Sequence, residues 1–195
     1  KAGMVQQNKP RKVLILKKAF EYCENGKKVR LTPSSQFAVH CKIQFDHPAI
    51  HKQEFHIVVN RHNYVEQIAP ARTFGFLKDV ELLRQQGLAQ GGSLKNAVVL
   101  DDMGVVNQEG LRFANEFVRH KILDLIGDFA VLGFPIQAEI TADKSGHDMH
   151  AKCLKELLKR KDLYEIRWLT EGQGDAETSD EYVPAEAVKV SAVGS

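Results

Sequence analysis

Four segments of strand character precede the first segment with a helical period, and this order constrains the fold more than any other feature of the chain. Lys12–Lys17 and Lys28–Thr32 flank the turn signal Glu24-Asn25-Gly26 and predict a hairpin with a longer loop. Phe37–Phe45 alternates Phe37, Val39, Cys41, Ile43 and Phe45, and Gln53–Asn60 alternates Phe55, Ile57 and Val59, so each offers one apolar face. Four strands in a row favour an antiparallel sheet.

Helical patterns follow. Asn63 is placed to cap a short helix over Tyr64–Ile68 that Pro70 ends. Leu77–Gln86 carries Leu77, Val80, Leu82 and Leu83 with a helical period and stops at Gly87. Ala97–Leu100 reads as a short strand, and Asn115–Leu132 as the longest helix, closed by Gly133. Ile136–Ala142 reads as a strand, Ser145 as the cap of a helix reaching about Arg160, and Leu163–Leu169 as a last strand. Strands first and helices later, with no internal repeat, predict an α+β fold. Its two layers are a mostly antiparallel sheet packed on helices, with a small β-α-β insertion at about 74–94.

The 195 residues suit about one domain, and 43% apolar content is enough for a packed core. A net charge of +2 excludes a strongly basic nucleic-acid binder. Residues 171–195 hold six acids and one base and predict an acidic, flexible tail. The remaining body, about residues 1–170, is mildly basic, which suits a phosphorylated ligand. The longest apolar run, Phe129–Ile136, is interrupted by Gly133 and Pro135 and is far short of the ~20 residues of a membrane span. The polar start KAGMVQQNKPRK is not a signal peptide and reads like the end of an earlier element. Three widely spaced cysteines, Cys23, Cys41 and Cys153, make neither a disulfide framework nor a Cys-x-x-Cys metal site, so a reducing cytoplasm is expected.

The long helix carries the main chemical signal. His120, Lys121, Asp124 and Asp128 share an arc of roughly 100° beside the apolar arc of Val118, Ile122, Leu125, Ile126, Phe129 and Leu132. Asp124 and Asp128 are like charges one turn apart, costing a few tenths of a kcal/mol, and Gly127 in mid-helix costs about 1 kcal/mol against Ala. A cation between the carboxylates and a large neighbour near Gly127 would offset both. His120 and Asp124 stand one turn apart, a spacing that lets both reach one Zn²⁺; the other reading is a solvated charged face.

The second signal is Lys144-Ser145-Gly146-His147 at a strand-to-helix junction. The helix dipole there disfavours an imidazolium at His147, and Asp128 is a candidate carboxylate to restore it; an ordinary capping turn is the other reading. The remaining histidines are weaker signals. His47 and His51 are four apart but in a loop, His40 and His56 sit on the solvent face of strands, and His150 on the exposed side of its helix. Third, Arg72-Thr73-Phe74-Gly75-Phe76 leads to a helix and then Gly91-Gly92-Ser93. This is either an aromatic strand and a Gly turn or a flap able to cover a greasy ligand.

ARTFGF (71–76), GLAQGGS (87–93), LRFANEFVRHKILDLIGD (111–128) and KSGH (144–147), with FDHPAI (45–50), resemble in order and spacing the UDP-3-O-acyl-N-acetylglucosamine deacetylases, bacterial zinc enzymes of lipid A synthesis. The resemblance covers about residues 1–169 and only the second (C-terminal) of the family's two similar domains, so the first is expected to lie outside this chain. It implies His120 and Asp124 as zinc ligands. Lys121 and Thr73 are implied as contacts to substrate or tetrahedral intermediate, and Asp128 as the residue that orients and charges His147, the general acid. Phe74, Leu77, Val80, Ala89, Gly92 and Val99 are implied to line the acyl-chain passage. The third zinc ligand and a glutamate general base belong to the first domain. The implied reaction is zinc-dependent removal of the N-acetyl group from UDP-3-O-acyl-N-acetylglucosamine in the cytoplasm of a Gram-negative bacterium. Without that first domain the chain is expected to have low activity. The alternatives are a non-catalytic fragment that binds an acyl ligand, and a nucleic-acid module. The latter lacks basic residues interleaved with aromatics on a sheet face.

Overall fold

A computed structural model describes residues 10–169, except 86, 88–90 and 92. The expected 171–195 tail, and Ala89 and Gly92, lie outside the described residues. The elements run β1 (Arg11–Leu16), β2 (Phe20–Glu24), β3 (Lys27–Thr32), β4 (Ala38–Gln44) and β5 (Lys52–Val58), then a helical turn α1 (Arg61–Asn63) leading into a π-helical stretch (Tyr64–Ile68). They continue with β6 (Thr73–Phe76), α2 (Leu77–Gln85), β7 (Ala97–Leu100), α3 (Glu116–Ala130), β8 (Ile136–Gln137), β9 (Glu139–Asp143), α4 (His147–Lys159) and β10 (Tyr164–Leu169). The fold is α+β, as expected.

The main sheet has the order β2-β3-β9-β4-β5 and is antiparallel except between β4 and β9. Its buried face presents Val29, Leu31, Val39, Cys41, Ile43, Phe55, Ile57, Ile140 and Ala142. Against this face lie α3, with Phe117, Val118, Ile122, Leu125 and Phe129, and α4, with Met149, Cys153, Leu154 and Leu157. Burying a large apolar side chain stabilises by roughly 1.5–3 kcal/mol. The apolar arc of α3 therefore outweighs the cost of Gly127 and of the Asp124/Asp128 pair several times over.

The expected hairpin is corrected. Asn25 and Gly26 both take positive φ (51° and 72°), the two-residue turn that Asn-Gly favours, and it joins β2 to β3. β1 instead lies in a second sheet of order β10-β1-β8, antiparallel to β10 and parallel to β8. The single strand expected over Ile136–Ala142 is two: β8 belongs to this second sheet and β9 to the main one. The chain changes sheets at Ala138, whose small side chain is fully buried and whose carbonyl accepts from the Ala38 amide at 3.1 Å.

The insertion is a parallel β-α-β unit in which β6 pairs with β7, Thr73 opposite Ala97 and Phe76 opposite Leu100. It spans 73–100 rather than about 74–94, because its return strand is the apolar Ala97–Leu100 segment. Two caps also differ. Asn63 stands at the N-cap position of Tyr64–Ile68 but makes no capping side-chain bond; it is Asn60 whose side chain caps the preceding turn, accepting from the Asn63 amide at 2.7 Å. Gly146, not Ser145, is the N-cap of α4, because the Ser145 hydroxyl is engaged by His150. No helix of the described residues is long and apolar enough to cross a membrane.

Candidate active site

One face of α3 carries His120, Lys121, Asp124 and Asp128, and the N-terminus of α4 faces it. The His120 side chain is only 14% exposed, and its Nδ1 lies 3.2 Å from the Ala71 carbonyl just before β6. A carbonyl only accepts, so Nδ1 holds the ring proton and Nε2 keeps a lone pair. That lone pair points at Asp124 Oδ1, 3.3 Å away. Two acceptors this close need a second ring proton or a cation between them.

The spacing fits a metal. With Zn–N and Zn–O bonds near 2.0–2.2 Å, adjacent corners of a tetrahedral site are about 3.3–3.6 Å apart. A backbone carbonyl accepting from Nδ1 is the usual way to orient an imidazole ligand. Among the described residues there is no group of three His, Cys, Asp or Glu side chains arranged to hold a metal, so this pair accounts for two donors.

Lys121 Nζ donates to Asp124 Oδ2 at 2.6 Å, with both side chains mostly buried. Burial pushes the Asp124 carboxyl up, but the neighbouring His120 and the Lys121 ammonium pull it down further, to about 2. Asp124 is thus ionised at any physiological pH.

Asp128 serves two histidines. His147 Nδ1 lies 2.8 Å from Oδ2 and 3.0 Å from Oδ1, and His150 Nδ1 lies 2.6 Å from the same Oδ2. The His147 side chain is 67% exposed, with its Nε2 on the Asp124 side, 3.9 Å from Oδ2. His150, expected on the exposed side of its helix, is instead 1% exposed. It follows the apolar stripe of α4, at i, i+3, i+4 and i+7 with Cys153, Leu154 and Leu157. Burial lowers its pKa against the opposing pull of Asp128.

Behind this face lies a buried ion pair. Arg72 donates through Nε to Glu116 Oε1 at 2.9 Å, through Nη2 to Glu116 Oε2 at 3.1 Å, and through Nη1 to Glu109 at 2.8 Å. Glu116 also accepts from the backbone amides of Arg72 at 2.9 Å and Arg112 at 2.7 Å. Glu116 stands one helical turn before His120. The carboxylate therefore holds Arg72 against α3 while the next turn holds Ala71. Thr73 follows, exposed at the start of β6.

Phe74 packs on Phe117, His120 and Phe45, with ring centroids 5.0, 6.3 and 5.7 Å away. Of the other expected passage residues, Leu77 is 39% exposed, Val80 lies over Gly75, and Val99 is buried. His40 and His56 stack edge to face on the outer side of the sheet, and His47 bonds the Asp101 carbonyl at 2.6 Å. None of these three joins the α3 face. Cys41 and Cys153 are buried, and burial pushes both thiols up to about 12. Neither is a nucleophile.

A family model described as UDP-3-O-acyl N-acetylglycosamine deacetylase matches residues 1–159. The chain belongs to this family. Relatives named UDP-3-O-acyl-N-acetylglucosamine deacetylase include that of Myxococcus xanthus (strain DK1622), 44% identical over 85% of this chain and 52% of its own. That of Syntrophus aciditrophicus (strain SB) is 48% identical over 82% of this chain and 51% of its own. That of Campylobacter jejuni subsp. jejuni (strain ATCC 700819 / NCTC 11168) is 46% identical over 85% and 56%. The chain spans about half the length of the curated relatives it matches.

Within this member of the family, three features escaped the sequence reading. His150 had a legible signal in the apolar stripe it shares. The Arg72–Glu116 pair had none, because the partners are 44 residues apart. The Ala71 carbonyl had none either, since a backbone acceptor leaves no mark in residue type.

Proposed function

We propose that this chain is the second domain of a zinc-dependent deacetylase acting on UDP-3-O-acyl-N-acetylglucosamine, in the cytoplasm and in lipid A synthesis. In this reading it supplies half of the active site, and a first domain supplies the remaining protein ligand and a glutamate base. Membership of the family supports the reaction class. The observation that carries the metal is the His120 Nε2–Asp124 Oδ1 separation of 3.3 Å, with the other imidazole nitrogen engaged by a carbonyl.

His120 and Asp124 would hold the zinc. Once held, the ion supplies Lewis acidity, which polarises a carbonyl and lowers the pKa of water. Lys121 stands 2.6 Å from Asp124, so its ammonium is fixed beside the metal position and stabilises the oxyanion that develops on the acetamide. Thr73, exposed at the start of β6, contacts the substrate or the tetrahedral intermediate. His147 delivers a proton from Nε2 to the leaving amine nitrogen. The Asp128 carboxylate, 2.8 Å from Nδ1, orients the ring and faces the charge it carries. Of the described residues, Phe74, Leu77, Val80 and Val99 line the path of the acyl chain.

Zinc content decides the ligand assignment. H120A and D124A in the full-length enzyme lose bound zinc and deacetylation together; unchanged zinc in both refutes the pair. The 195-residue chain alone turns over little substrate. Binding of a fatty-acyl ligand with no hydrolysis in the full-length enzyme would instead support the non-catalytic reading.

A further inference from the structure

His150 is buried, charged-partnered and unused by the reaction outlined above. A carboxylate such as that of Asp128 only accepts hydrogen bonds. Each imidazole nitrogen at 2.8 and 2.6 Å from its Oδ2 must therefore carry a hydrogen. For His150 this fixes Nδ1 as donor. The pKa lowering by burial keeps the ring neutral, so Nε2 is left as an acceptor. That acceptor lies 2.8 Å from Ser145 Oγ, whose hydroxyl donates to it. The order of donation is Ser145 to His150 to Asp128, and His147 to Asp128 from the other side.

His150 comes from the second turn of α4 and is held by the core, against Phe129 at 6.3 Å between ring centroids. His147, three residues earlier, is mostly exposed and has no comparable packing. The rigid partner of Asp128 is thus His150. A carboxylate fixed by one buried donor presents its oxygens to His147 in one orientation.

We propose that His150 is a positioning residue: through Asp128 it holds His147 as the Nδ1–H tautomer, with Nε2 facing the reacting centre. The catalytic part of this inference rests on the deacetylase reading, while the tautomer does not. The general acid then needs only one further proton, at Nε2, and that is the proton it delivers.

The test compares H150N, H150Q and H150L. The Asn side-chain nitrogen superposes on the imidazole Nδ1 and can still donate to Asp128, whereas that of Gln lies one bond further out. Nitrogen-15 spectra of the imidazoles in this chain, taken at about pH 8.5 where an ordinary imidazole is neutral, report the tautomer directly. We expect His147 as Nδ1–H in the wild type and H150N, and mixed or Nε2–H in H150L and H150Q. An unchanged His147 tautomer in folded H150L overturns the proposal. If H150L does not fold, H150N and H150Q decide alone, and identical His147 spectra in the two overturn it. In the full-length enzyme, kcat of H150Q falls about tenfold to a hundredfold, the usual loss when an orienting partner is removed. KM is little changed, and H150N restores most of the rate. Equal kcat in H150Q and wild type also overturns the role. A wild-type enzyme inactive toward the UDP-sugar fails the deacetylase reading instead, a result the tautomer spectra do not share.

Discussion

Two charged clusters lie along α3, one turn apart, and they are built on opposite terms. At Glu116 the carboxylate is fully buried and saturated: two bonds from the Arg72 guanidinium and two from backbone amides. At Asp124 and Asp128 the carboxylates remain partly exposed, and each shares its oxygens with groups that face solvent or one another. A saturated buried pair has nothing left to offer a ligand, so it locks backbone to backbone. An open cluster with a lone pair facing a carboxylate oxygen across 3.3 Å is short of a cation. The same helix therefore commits one turn to register and leaves the next three open to a ligand.

The largest effect should come from splitting the sealed pair. R72A or E116A leaves a buried charge without its partner and should cost about 3–5 kcal/mol in urea unfolding. Replacing both at once with R72M/E116L should be far milder, since apolar substitution of a buried pair is often neutral or better. A double variant as unstable as the single ones would mean that the backbone amides, not the guanidinium, carry the site. If the double variant is stable, its zinc affinity in the full-length enzyme sharpens the comparison. A fall there means that the pair sets the register of Ala71 against His120.

The open cluster should respond less. D124A in the metal-free chain should lose about 2 kcal/mol at neutral pH, from the lowering of its carboxyl to about 2. Urea unfolding of D124A beside E116A gives the contrast directly, and equal losses would erase it.

Gly127 lies between the two aspartates of the open cluster, and a Cβ built there meets nothing within 4 Å. G127A should therefore raise stability by about 0.5–1 kcal/mol, read as a higher urea midpoint. If the variant is more stable yet inactive in the full-length enzyme, a neighbour outside this chain occupies that space.

The smallest effect is the pH dependence due to His150. Its folded pKa is depressed below the ordinary 6.5. On acidification the unfolded state takes up this proton first, so stability falls as pH drops through about 6.5 toward the folded value. H150N removes this part of the slope. A wild-type stability curve with the same slope as H150N between pH 7 and 5 would show that His150 is not held neutral.

Much of the fold was legible because its cues are local. The alternation over Phe37–Phe45 and the apolar arc of α3 are read from residues within a few positions of each other, and both face the core. What failed was pairing. Lys12–Lys17 has the pattern of a strand, but nothing in that pattern says that its neighbours are β8 and β10 rather than β3. The polar cluster divides in the same way. Helical spacing alone brings His120, Lys121, Asp124 and Asp128 to one face. That His147 meets Asp128 depended on two helices packing with a given rotation.

By itself, the sequence determined most of the strands and helices, though not β2 or the break between β8 and β9, which face of α3 is apolar, and which four ionisable side chains share its other edge. All of these follow from periods of two or 3.6 residues, which act over short stretches of chain. Only the tertiary structure decided that β1 leaves the hairpin, that Ala71 offers its carbonyl to His120, that Glu116 is sealed by Arg72, and that His150 is buried beneath Asp128. Those outcomes depend on how whole elements stack, where the burial of large apolar faces sets the geometry and the polar groups must find their partners within it.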